Sequence, residues 1–209
     1  MLGELAILLL KTAFGILIIA LVARFLAQIA RADVANPLAQ TVLKITSPVL
    51  IPVRRFVPSL AGLDLASLVC IFAAQLVLAF LISFILGSNP AANLGQLVVW
   101  SLIAVAGIIL TVLQWSMIIV AVGSWLTMGG GGGAPNPLLT FLGQMVEPFV
   151  GPFRKLNLQI GMLDLSYIVA FLVLIILRDF ILRGLILPGT GFHQALMYGY
   201  RGISPVVGI

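Results

Sequence analysis

The chain has 209 residues, of which 62% are hydrophobic and 8% charged, with a net charge of +5 and a mean hydropathy of +1.24. A water-soluble domain carries about 25% charged residues, so this composition excludes one and makes lipid the natural solvent. The cations are too sparse for a nucleic-acid stripe, and the single cysteine, Cys70, excludes an internal disulfide and a Cys-rich metal site.

Crossing a bilayer as a helix takes about 20 mostly apolar residues. The first such segment runs over about 5–23, "AILLLKTAFGILIIALVA", interrupted by Lys11. Ala30-Arg31-Ala32 has the form of a leader cleavage site, but Glu4 weakens a positive leader and Arg24 and Arg31 oppose export. A polar stretch follows, with Asn36-Pro37 read as a turn and the start of a short amphipathic helix. Pro48 and Pro52 remove backbone donors and are expected to end that helix. Arg54 and Arg55 come next, suited to lipid phosphate, and then Asp64, at the start of a second apolar segment over 65–86.

The loop "GSNPAANLGQ" carries no charge and leads to a third segment over 97–122. Gly107 and Gly123, with neighbouring alanines, would let this helix approach another closely. "GGGGGAP", 129–135, reads as a flexible linker, not a phosphate loop, because no GK[ST] follows. Asn136-Pro137, Pro148, Pro152, Arg154, Lys155 and Asp164 then repeat the earlier pattern. The fourth segment covers 165–187 and contains Arg178, Asp179 and Arg183. Trp125 and Tyr167 fall near segment ends, where amphipathic aromatics favour the headgroup level.

The repeat has a constant offset of 100 residues without a gap: Asn36 and Asn136, Pro48 and Pro148, Pro52 and Pro152, Asp64 and Asp164. Two crossings per copy make the copies parallel, so the repeat-related pairs Asn36-Pro37 and Asn136-Pro137 fall on one face. That parity speaks against a water channel built on these two pairs, since water channels place their Asn-Pro loops on opposite faces. The expected fold is all-α: four transmembrane helices in two helix-loop-helix repeats, 1–95 and 96–187, each with a short interfacial helix, then a tail over 188–209. Cations in the long loops place those loops in the cytoplasm and both termini outside. The tail's aromatics are expected on the outer interface or against a partner.

Asp64 and Asp164 are expected first as helix caps, with an Arg–Asp clamp in addition, since Arg54–Asp64 and Arg154–Asp164 share one spacing. Lys11 lies 13 residues before Arg24, and Asp179 lies 15 after Asp164. At 1.5 Å per residue both reach similar depth, so a Lys11–Asp179 pair could join the first and last helices. His193 has no companion ligand or nucleophile, and no cofactor or metal is expected.

"SPVLIPVRRFVPSLAGLDLASL", 47–68, and "EPFVGPFRKLNLQIGMLDLSYI", 147–168, resemble the YggT family of small bacterial integral membrane proteins, which has cyanobacterial and plastid relatives. The carrying pattern is P-x-x-x-P-x-R-R followed by G-x-D-L. The second copy departs from it at Lys155 and Met162. The resemblance implies an inner-membrane protein with roles in osmotic or salt tolerance, or in envelope and division processes. Plastid relatives are linked to c-type haem attachment and nucleoid organisation. With no catalytic constellation, the expected role is a non-enzymatic scaffold or accessory subunit. Its partners would be membrane lipids and another membrane protein, or further copies of the chain. The alternative is an oligomeric ion channel or transporter.

Overall fold

The computed structural model describes residues 2–58, 63–128, 136–156, 159–160 and 163–209. The glycine-rich 129–135 stretch, Gly62, Met162 and the side chains of Trp125 and Asp164 lie outside that description. Among the described residues the fold is all-α apart from one antiparallel pair of two-residue strands. Its elements are α1 (Leu2–Ile29), α2 (Pro37–Arg54), α3 (Leu65–Ile85), α4 (Leu94–Met128), α5 (Pro137–Arg154), β1 (Gln159–Ile160), β2 (Leu163–Asp164) and α6 (Leu165–Ile175). A π-helix, Ile176–Ile186, continues α6, and the tail begins with a 3₁₀ turn, Pro188–Thr190, and a short α7, Phe192–Gln194.

Among the described residues four helices are long and apolar enough to cross a membrane: Leu2–Ile29, Leu65–Ile85, Leu94–Ser124 and Leu165–Thr190. α1 packs mainly on α3, α3 also on α4, and α4 on α5 and the fourth span. The amphipathic helices α2 and α5 touch each other, which puts both long loops at one end of the bundle. Asn36 and Asn136 cap these helices alike, each side-chain oxygen accepting from the N–H two residues on at 2.9 Å. Asn36 alone does more: it is buried, and its Nδ2 donates to the Pro137 carbonyl at 2.8 Å, tying one copy to the other.

α2 and α5 do not stop at their prolines. Pro48 and Pro52, and likewise Pro148 and Pro152, lie inside helices that continue to Arg54 and Arg154. A proline removes one N–H and crowds the carbonyl four residues back. In α2 the turn before Pro48 carries two hydroxyls that bond back along the helix, Thr46 Oγ1 to the Val42 carbonyl and Ser47 Oγ to that of Leu43. The four-residue spacing keeps both missing donors on one side of the helix.

Part of the tail is drawn into the bundle, although Met197 and Tyr198 stay exposed. Phe192, Tyr200 and Val206 are buried against Trp100, Leu97 and Ala79. Trp100 meets Phe192 and Tyr200 edge to face, with centroids 5.3 and 5.7 Å apart. Residues 203–209 have no regular structure, yet Gly208 lies against the middle of α4. Irregular backbone at that depth must find partners within the protein. Gln75, fully buried in the middle of α3, supplies two: its Nε2 donates to the Val207 carbonyl at 2.7 Å and its Oε1 accepts from the Val207 N–H at 3.0 Å. Ser83 and the Tyr200 hydroxyl share a further bond at 2.9 Å. Gly107 makes the approach possible, because a Cβ there would sit 2.8 Å from the Gly208 carbonyl oxygen.

Candidate functional site: an arginine cluster at the loop end

Asp64 stands at the N-cap of α3, but its carboxylate bonds no backbone N–H there. It receives Arg54 Nη2 at 2.5 Å and Ser67 Oγ at 2.8 Å instead. Within the first copy the clamp forms, and the side chain of Asp164 falls outside the described residues. The Asp64 side chain is 3% exposed and that of Arg54 44%. Burial pushes the Asp64 carboxyl up, but the bonds from Arg54 and Ser67 outweigh it and hold the group below the usual carboxylate range.

In the second copy Arg154 bonds Glu147 at 2.7 Å, with both side chains about half exposed, and the first copy has Ser47 where Glu147 stands; the matching Arg154–Asp164 clamp falls outside the described residues. Arg55 and Lys155 occupy the C-caps of α2 and α5, exposed, where a cation complements the helix dipole.

Arg24 belongs to this cluster, although its sequence position suggests only an orientation signal. It is 9% exposed near the end of α1. Its Nη1 donates to Thr46 Oγ1 at 2.8 Å, Ser47 Oγ at 3.2 Å and the Leu43 carbonyl at 3.3 Å. Thus the two hydroxyls that precede Pro48 serve both the helix and the guanidinium. The only sequence signal is a charge just inside an apolar run, followed by a Thr-Ser-Pro triplet.

Arg31 completes the arrangement. It ends α1 in the left-handed region, φ 51°, with its N–H bonded to the Gln28 carbonyl and the next N–H to that of Ala27. Glycine normally takes this position at lower cost. Arg24, Arg31 and Arg54 line a cavity of about 340 Å³ walled by Ala39, Val42 and Phe141. A second hollow of about 420 Å³ shares Gln28 and Arg54 with it and reaches Asp64.

The Lys11–Asp179 pair is not present. Asp179 is bonded on its own helix, by Arg178 at 3.0 and 3.2 Å and Arg183 at 3.3 Å, and Lys11 has no ion pair among the described residues. The reason is the packing: α1 finds its main neighbour in α3, while the fourth span lies on α4 and α5. Similar depth did not mean adjacency. His193 rests edge-on to the Phe192 ring, and among the described residues no His, Cys, Asp or Glu side chains gather into a metal-binding group.

The CCB3/YggT family matches residues 4–85 and again residues 99–185. The chain belongs to that family. Its two matches coincide with the two copies of the repeat. A Pseudomonas aeruginosa relative is 38% identical over 91% of this chain and 94% of its own length. One from Vibrio alginolyticus is 36% identical over 78% and 86%. YggT of Escherichia coli is 27% identical over 81% and 85%. No solved structure matches the chain.

Proposed function

We propose that this family member is a non-enzymatic accessory subunit or scaffold of the bacterial inner membrane, which binds another membrane protein through its fourth span. The carrying observation is the charged triad of the π-helical segment. Asp179 is 39% and Arg183 44% exposed, in a helix long and apolar enough to cross the bilayer. A charge at the centre of a lipid-facing helix costs at least ~2.5–3.5 kcal/mol, so such groups normally face protein or water. Two guanidiniums against one carboxylate leave net positive charge, which favours a partner helix bearing a carboxylate or free carbonyls. The bundle interior supports this reading over a pore within one chain, because the tail fills the space between α3 and α4. The cation-rich loops favour a cytoplasmic position for the loop end.

The test is purification from native membranes in mild detergent, with wild type and Arg183→Gln side by side. A membrane protein recovered stoichiometrically with wild type and depleted severalfold by the substitution supports the proposal. A solitary chain, a homo-oligomer alone, or a partner retained equally by the variant overturns it.

A further inference from the structure

We infer that the cavity between α1 and α2 is a binding site for a phosphate group, carried by an anionic phospholipid headgroup or by a free phosphate species. This is independent of the partner proposed for the fourth span, since the cavity lies at the loop end of the first copy.

Charge is the first argument. Three guanidiniums line the joined hollows, and the carboxylate there, Asp64, is already bonded to Arg54. Arg24 is the most buried of the three, and a buried cation is costly unless something compensates it. Neutral hydroxyls and a carbonyl hold its Nη1, while its Nε and Nη2 have no hydrogen bond to any described residue. Those two donors form the edge of a guanidinium that grips an oxyanion with parallel bonds.

Arg31 is the second argument. Left-handed backbone is unfavourable for a non-glycine residue, and here it carries a cation that lines the cavity. The second copy has Gly131 at the corresponding position and Ser124 in place of Arg24, so the cationic set is particular to the first copy. The volume falls in the range of small-molecule pockets, and Ala39, Val42 and Phe141 offer an apolar wall beside the charges, as an amphiphile requires.

Arg31→Gly tests the site without endangering the fold, because glycine relieves the backbone while removing the charge. Lipid retention by the purified protein would be followed by native mass spectrometry with added phosphatidylglycerol or phosphatidylcholine. A parallel arm would follow thermal stability with inorganic phosphate against chloride. Wild type should prefer phosphatidylglycerol, phosphate or both, and Arg31→Gly should lose roughly tenfold in that preference without a fall in melting temperature. Phosphatidylglycerol alone identifies a headgroup site, and inorganic phosphate alone a soluble ligand. Lys44→Gln, an exposed cation outside the cavity, should leave the preference unchanged. No preference in wild type, no loss in Arg31→Gly, or an equal loss in Lys44→Gln overturns the inference.

Discussion

The Arg54–Asp64 bond and the Arg154–Glu147 bond are similar in length but differ in surroundings. Asp64 is nearly sealed from solvent, so Arg54→Ala leaves a buried carboxylate without its cation, at a cost of about 3 kcal/mol. Asp64→Ala costs less, because Arg54 can turn to water. Glu147→Ala, at an exposed pair, should cost under ~1 kcal/mol. Thermal unfolding in detergent would rank the three. The pair also has a pH signature. Its carboxyl lies lower in the native state than the ordinary value of about 3.9, so its contribution is complete above that value. The contribution is lost as pH falls through the depressed native value. Asp64→Asn should remove that acid-labile part of the stability. The ten-residue spacing made this pair legible in the sequence. The seating of Arg24 was not, because its hydroxyl partners become neighbours only once α1 and α2 pack.

Elements obeyed composition more readily than punctuation. The apolar runs became spans, and Asn36-Pro37 and Asn136-Pro137 each began a helix. The prolines, read as stops, proved internal: both amphipathic helices run on to Arg54 and Arg154, since each proline removes only one N–H and the four-residue spacing keeps both losses on one side. α3 offers a matching test on the tail. Gln75→Leu would leave the Val207 N–H and carbonyl unpaired among apolar side chains. Each orphaned group costs about 1–3 kcal/mol, so the tail should loosen before the helices do. Hydrogen exchange over 200–207 should rise strongly in this variant while exchange in α3 and α4 changes little. Unchanged protection of the tail would refute the role given to Gln75.

At the scale of the whole molecule, the duplication was visible as a constant offset, and the placement of both loops at one end followed from counting crossings. What the sequence could not disclose was how unequal the copies become. Asn36 bridges them and Asn136 is exposed, while the buried cluster belongs to the first copy. The tail's aromatics divide: Phe192 and Tyr200 enter a slot that exists only after α3 and α4 pack, while Tyr198 stays exposed. The proposed orientation is open to direct measurement. A cysteine at Gln40, in the loop end, should resist a membrane-impermeant maleimide added to intact spheroplasts, while one at Ala92, in the opposite loop, should react. Cys70 is buried and should remain silent in both. Labelling of Gln40→Cys but not Ala92→Cys would invert the topology.

Gln75 and Val207 are separated by 132 residues. At a ribosomal pace of roughly 5–20 residues per second, the polar group in α3 precedes its mate by on the order of ten seconds. A newborn chain therefore holds an unmatched carboxamide in hydrocarbon for that interval. The translocon, a water molecule or another helix must stand in until the closing segment arrives. Slowing translation downstream of the fourth span lengthens that exposure and should increase capture of the nascent protein by quality-control proteases.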